Sequence, residues 1–328
     1  MLRRNLKTHI KVHGLVVLSA ATRQLAHPER RRLAKSRLTR HYPATEPLLR
    51  VLSALNLPLP EGGLAALRLW GQTGEKPAGW HAAADPVCLE AGLNRLYLRV
   101  LSGPELPEHD VAEIFQHLQD ALAADRSWSL FRRGTCGYLQ SDQAMSTASA
   151  SPQVAQGDSP GDFLPEGEQA RAHDRLQGEV QMCLHENAVN RRRERAGMHP
   201  VNALWFWGGG TAPGQSTTAL PPLYADDPLF TGYWLSRSAQ AAPWPEDFDA
   251  CLEASPQGFV AVAPTAEPAG EAGDSGAGLR VLFRMLEEGR LRRLTLLFPD
   301  GLRADCRRSD RLRWWRRDLE ALSGLPAR

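Results

Sequence analysis

The sequence predicts a mixed α/β fold, a mixed sheet with flanking helices, and three observations carry that prediction. Residues 14–18 are a short apolar run, and the β-branched content of 10–18 suits a buried strand. Val111, Ile114, Leu118 and Leu122 recur at helical spacing after Pro107, so that segment has one apolar face and a favourable start. Residues 294–298 are a second apolar strand, followed by Pro299-Asp300-Gly301, a strong turn signal.

Composition allows a real core and excludes several classes. The chain has 328 residues, of which 42% are hydrophobic, enough for one large or two ordinary domains. Charged residues make up 23% with a net charge of +2, so a general polyanion binder is not implied. Five cysteines (Cys88, Cys136, Cys183, Cys251, Cys306) are scattered without a Cys-x-x-Cys pair, which fits reduced, buried thiols in a cytoplasmic protein. Arg3, Arg4 and Lys7 precede a short apolar run, but charge returns at Arg23, and a strand accounts for the run better than a signal sequence. No stretch approaches the ~20 apolar residues that span a bilayer, so no membrane partner is expected.

In chain order, residues 28–41 are too basic for a core strand and predict an exposed helix. Residues 46–55 predict a second helix, ended by the proline- and glycine-rich 58–63. Residues 88–90 and 95–99 predict two strands joined at 92–94. Residues 128–131 and 138–140 predict a hairpin around Gly134. Residues 141–161 are rich in Ser, Ala, Gln, Pro and Gly and predict a linker; residues 264–278 predict a second flexible loop. The expected division is therefore 1–140, linker 141–161, a central region 162–263, loop 264–278, and a C-terminal hairpin and helix 279–328. In that last helix, Ser309 is the expected cap and Leu312, Trp315, Leu319 and Leu322 share a face, with Gly324 as the stop.

The central region carries the candidate site. Leu176, Val180 and Leu184 repeat every four residues, so 170–184 predicts an amphipathic helix. Asn190 is the expected cap of a short basic helix over 191–196, closed by Gly197. A strand over 203–207 then runs into Gly208, Gly209 and Gly210, where the backbone can adopt conformations that side chains forbid and expose its N–H groups to a ligand. His185, Asn187, Asn190 and Asn202 offer neutral hydrogen bonding, while Arg191, Arg192 and Arg193 offer charge; together they suit a phosphate or carboxylate. The same residue types also make caps, turns and solvated faces, and both readings stand at this point. The triplet is not followed by Lys-Ser/Thr, so it is no phosphate loop, and Ser216-Thr217-Thr218 has no nearby His/Asp set for a hydrolytic triad. Arg307, Arg308, Arg311, Arg313, Arg316 and Arg317 flank Trp314 and Trp315, a pattern open to nucleic-acid contact. Asp305, Asp310, Asp318 and Glu320 dilute it, so nucleic acid is not the expected partner.

The segment 184–210 (LHENAVNRRRERAGMHPVNALWFWGGG) resembles the archaeal-type cofactor-independent phosphoglycerate mutases. It is closer to proteobacterial phosphoglycerate-mutase-like or RpfE-type regulatory proteins, which share the Leu-Pro-Glu-Gly entry at 164–167 and the Val-Asn-x-Leu-Trp-Phe-Trp-Gly core at 201–208. The resemblance implies a degenerate alkaline-phosphatase-like architecture. The mutases' chemistry needs two metal ions held by Asp and His, and a phosphorylated Ser or Thr. This chain departs from that pattern. Ser19-Ala20-Ala21-Thr22 follows the first strand where an Asp-Gly pair would begin the metal site, and no His occurs after His199. Trp207 stands at the place of the strand-end Arg, and Ala188 at that of a Pro. The expectation is a non-catalytic relative with a regulatory or scaffold role, no cofactor and no catalytic residue. Its expected partner is a small phosphorylated ligand or a protein. The alternatives are an active phosphoglycerate mutase or phosphotransferase using a divalent metal such as Mn or Zn, and a nucleic-acid-associated protein.

Overall fold

The computed structural model describes residues 13–19, 25–40, 45–122, 127–264 and 276–313. They form a mixed α/β fold in two compact units. One unit is built from Met1–Pro43, Pro47–Leu57 and Ser216–Arg328; the other from Ala44–Glu46 and Pro58–Gln215.

The first unit opens with β1 (His13–Val17), α1 (His27–Ala34), β2 (Arg37–Arg40) and α2 (Pro47–Ala54). The chain then builds the second unit. In order, this holds α3 (Leu64–Thr73), β3 (Trp80–Ala91), β4 (Leu96–Val100), α4 (Glu108–Leu122), β5 (Trp128–Arg133), β6 (Cys136–Ser141), α5 (Pro152–Ala155), α6 (Ala170–His185), α7 (Ala188–Arg195) and β7 (Ala203–Thr211). The first unit resumes with β8 (Leu223–Tyr224), α8 (Pro228–Ser236), β9 (Ala241–Ala242), α9 (Phe248–Ala254), β10 (Gly258–Val262), α10 (Ala277–Glu288), β11 (Arg293–Leu297) and β12 (Leu302–Arg307).

The sheet of the first unit runs β2-β12-β11-β1-β10-β8-β9. Its centre is parallel: β1 pairs with β10 and β11, Leu15 lying level with Val260 and Thr295. The antiparallel β12 and β2 close one edge. A strand buried on both faces should be apolar throughout, and Gly14, Leu15 and Val16 are all buried. Leu282, Met285, Leu286, Phe259, Leu294 and Leu296 share its core. Buried Arg50 of α2 secures the turn after β11: Nη1 donates to Phe298 O at 2.7 Å and Nη2 to Leu302 O at 3.2 Å.

The second unit has an antiparallel sheet in the order β4-β3-β6-β5, with β7 also on β3. Val111, Ile114, Leu118 and Leu122 of α4 and Leu176, Val180 and Leu184 of α6 are all buried, as their spacing predicts, and pack into one core with Leu204 and Phe206.

Some expectations need correction. Residues 28–41 are not one helix: α1 ends at Ala34 and Arg37–Arg40 become an edge strand, where a basic sequence is tolerated because one side faces away from the sheet. α3, which the sequence did not suggest, occupies residues after the glycine-rich stop. Residues 141–161 are packed: Trp205 Nε1 donates to Ala150 O at 2.8 Å, Ala148 bridges Trp207, and Ser151 N donates to Glu46 at 2.7 Å. Small side chains bury little apolar area, yet they let the backbone approach and hydrogen-bond. Most of the expected loop at 264–278 lies outside the described residues, as does the expected final helix past Arg313. Its described start, Arg308–Leu312, is a 3-10 turn. The five cysteines are free thiols, with Cys88, Cys251 and Cys306 buried. Among the described residues no helix is long and apolar enough to cross a membrane.

His13 gives the first unit a titration signature. Its Nε2 lies 3.0 Å from Thr295 Oγ1, which donates to Asp305 at 2.7 Å. Burial, and then Arg293, push its pKa from 6.5 down to about 4. The unfolded chain therefore takes up this proton first. The stability due to neutral His13 is present above about pH 6.5 and is lost as pH falls toward about 4. Urea unfolding midpoints measured over that window should drop, and His13→Gln should flatten the slope; an unchanged slope would assign the loss to other groups.

Candidate functional site

The residues singled out do not converge: His185 to Asn202 lie where α6, α7 and the start of β7 meet, the three glycines lie at the other end of β7 beside α3, and most of the polar side chains bond the protein's own backbone. Asn187, not Asn190, caps α7: its Oδ1 accepts from Val189 N at 2.8 Å. Asn190 lies inside the helix and is buried. Its Nδ2 donates to Leu184 O and Val201 O, both at 2.8 Å, and its Oδ1 accepts from Val201 N at 2.9 Å. Asn202 imitates a neighbouring strand, accepting from Leu89 N at 2.7 Å and donating to Leu89 O at 2.9 Å. Arg193 is fully buried: Nη1 meets Asp110 Oδ2 at 2.8 Å, Nε donates to His199 O at 2.9 Å, and Nη2 donates to Glu105 O. His185, Arg191 and Arg192 are exposed; Arg191 donates to Glu186 O at 2.9 Å and Arg192 pairs with Glu113 at 2.9 Å.

The glycine triplet is likewise corrected. Gly208, Gly209 and Gly210 lie inside β7 rather than in a loop beyond it. They admit the start of α3: Gly63 N donates to Gly209 O at 3.1 Å, and a Cβ on Gly210 would stand 2.4 Å from Gly63 N. Gly208 has φ of +63° and Gly210 of +152°, values that L side chains disfavour. This close backbone contact accounts for the triplet without a ligand. Trp207, at the place of the strand-end Arg, directs its indole N–H to Asp85 Oδ2 at 2.7 Å. Asp85 also takes Arg68 Nη1 at 2.7 Å.

Two other polar groupings are completed only by the fold. In the first unit a pocket of about 230 Å³ is lined by Arg37, Arg293, Asp305, Arg307, Asp310 and Arg313. Asp305 is already engaged by Arg293 at 2.9 Å, Arg303 at 3.1 Å and Thr295. Burial works against its carboxylate, but the hydrogen bonds from Thr295, Arg293 and Arg303 prevail and hold its pKa below the usual range. Asp310 accepts from Arg307 N at 2.8 Å. The buried Nε of Arg293 has no partner among the described residues. Four arginines against two engaged aspartates make the pocket attractive to a small anion. Asp305, Arg307, Asp310 and Arg313 belong to the C-terminal basic run already noted, and the fold adds Arg37 and Arg293, which no local spacing joined to it.

The other grouping is Cys88, Glu90 and His199 in the second unit, whose ligand-type atoms lie within 4.8 Å of one another. Cys88 and Glu90 alternate with Leu89 on β3, and His199 follows α7.

Asn190→Ala should leave the Leu184 and Val201 backbone groups unpaired and cost about 2–4 kcal/mol in urea unfolding. Arg191→Ala, at the surface, should cost less than about 0.5 kcal/mol. Equal small effects would mean that Asn190 is not holding the junction.

No family model matches this chain. Over 52 residues, 16% of this chain, it is 40% identical to the 2,3-bisphosphoglycerate-independent phosphoglycerate mutase of Methanothrix thermoacetophila. The match spans 13% of that relative's length. Among solved structures it is similar to the cofactor-independent phosphoglycerate mutase from Thermoplasma acidophilum, with 14% identity, 90% of this chain and 89% of that chain covered, and a TM-score of 0.38. It is also similar to the PH0037 protein from Pyrococcus horikoshii, with 13% identity, 88% and 81% covered, and a TM-score of 0.46.

Proposed function

We propose that this chain is a non-catalytic relative of the cofactor-independent phosphoglycerate mutases, with a regulatory or scaffold role, that binds a small phosphorylated or carboxylate ligand. The observation that carries the binding part is the pocket of the first unit, where Arg37, Arg293, Arg307 and Arg313 outnumber two aspartates that are already engaged. Arginine forks suit the planar or tetrahedral oxygens of such anions. The ligand therefore belongs with these arginines rather than with His185 to Gly210, where Asn187, Asn190, Asn202 and Arg193 are occupied by the protein itself.

The non-catalytic part rests on donor chemistry. A two-metal phosphoryl-transfer site needs several carboxylates and imidazoles close together. The residues after β1 are Ser19-Ala20-Ala21-Thr22, and His199 is the last histidine of the chain. This donor set does not fit the pair of manganese or zinc ions that the resembled mutases use. The regulatory assignment follows the resemblance to RpfE-type proteins, and the 52-residue match supports kinship with the mutases.

Two measurements test the proposal. Calorimetry with inorganic phosphate and with 3-phosphoglycerate should show salt-sensitive binding that Arg37→Ala or Arg307→Ala weakens more than about tenfold, the value of one charge-assisted hydrogen bond. Heat from neither probe would overturn the ligand assignment. A phosphoglycerate mutase assay with added manganese should show no turnover; turnover that a chelator abolishes would overturn the non-catalytic reading.

A further inference from the structure

Cys88, Glu90 and His199 are the one group of three potential metal ligands found among the described residues. Their donors are a thiol, a carboxylate and an imidazole. His199 Nδ1 lies 3.2 Å from Glu90 Oε1. Ligand atoms around a tetrahedral zinc, with bonds of about 2.0–2.3 Å, stand roughly 3.3–3.6 Å apart. One edge of such a polyhedron is thus already formed, and the rest closes with a shift of about an ångström. Cys88 is buried while Glu90 and His199 are half-buried, which gives the group a dry side and a wet side.

The surrounding hydrogen bonds hold these three donors in place. Cys88 and Glu90 project to the same face of β3. Leu89 between them is clamped through both its N–H and its C=O by Asn202. His199 is fixed on either side: its C=O accepts from buried Arg193, Met198 N donates to Arg193 O at 2.8 Å, and Val201 N donates to Asn190. Metal sites require this kind of outer-layer restraint, because it removes the entropy of gathering the ligands. The side chains that looked like ligand binders in the sequence thereby become the frame of a different site.

We propose that Cys88, Glu90 and His199 bind one divalent transition-metal ion, zinc by the softness of its donors, with a fourth position open to water or an outside ligand. Charge balances: the Cys88 proton leaves to solvent, the resulting thiolate and the Glu90 carboxylate neutralise the dication, and His199 binds neutral. Arg99, which pairs with Glu90, also lies 3.9 Å from Glu105, and Arg193 keeps Asp110, so neither cation is left without a counter-charge. A carboxylate has lone pairs enough for both an arginine and a metal. This site is separate from the anion pocket and does not rest on the proposed function.

Cobalt(II) titration of the full chain tests it. The expected result is one equivalent bound, with a sulfur-to-cobalt charge-transfer band in the near ultraviolet that zinc displaces. Cys88→Ser should abolish the band, and His199→Gln and Glu90→Gln should each weaken binding more than about tenfold. Cys183→Ser should leave it unchanged. Thermal melts in chelator show whether each variant folds, and a melt matching wild type keeps its result interpretable. A variant that fails to melt cooperatively is replaced by reading the proton released on zinc addition to wild type, which should approach one. No band in the wild-type chain, a band that survives Cys88→Ser, or zinc uptake without proton release would overturn the proposal.

Discussion

The second unit depends on one buried cation. Arg193 is fully buried, and a guanidinium out of water is tolerated only when its donors are all met in good geometry. Here they are met by Asp110 of α4, by Glu105 O before that helix, and by His199 O after α7. One side chain therefore ties the end of α7 and the residues just after it to the start of α4, 83 residues away in the chain. Neighbouring Arg192 reinforces the link through Glu113 at 2.9 Å, but from the surface, where solvent weakens it. Replacing Asp110 alone would strand the Arg193 charge, so the pair specifies the arrangement more than it stabilises it.

The two asparagines extend this frame by a different device. Asn190 and Asn202 each present a donor and an acceptor on one planar amide, which matches the N–H and C=O pattern of an unpaired strand edge. Asn190 meets the chain entering β7, and Asn202 meets β3 where its pairing passes from β7 to β4. Buried backbone must be hydrogen-bonded, and where strands diverge a side chain has to supply the partner. Small shifts at these clamps would be felt at Leu89 and His199, and hence at the Cys88–Glu90–His199 group.

Periodic segments were legible in the sequence. The apolar faces of α4 and α6 and the hairpin of β5 and β6 followed from spacing alone, because burial on one face imposes that pattern. Composition misled at residues 141–161, where small polar residues were compatible with close backbone packing as well as with a linker. Residue type also failed to separate binding from capping. Asn187 and Asn190 have the same chemistry, and only their distance from particular backbone groups decides what each does. The arginine pocket was half legible: the sequence showed the basic run that holds Arg307 and Arg313, but only sheet order, β12 between β2 and β11, brings Arg37 and Arg293 to it.

The place held by Trp207 shows how these constraints bear on function. An arginine at the end of this strand would be a natural anion ligand. Instead the indole N–H closes on Asp85, and the nearby cation comes from Arg68 of α3, whose guanidinium lies over the rings of Tyr138 and Trp207. Burial disfavours the Arg68 charge, but Asp85 more than offsets it and raises its pKa. Its remaining donors go to Tyr138 Oη at 3.1 Å and Gly137 O at 2.9 Å, and the Tyr138 hydroxyl donates onward to Gln72 at 2.7 Å. The donors of Trp207, Arg68 and Tyr138 are thus directed inward. A positive charge in this setting tightens α3 against the sheet, each guanidinium nitrogen bonding within the unit. On the proposed function, a phosphate is left to the arginines of the first unit.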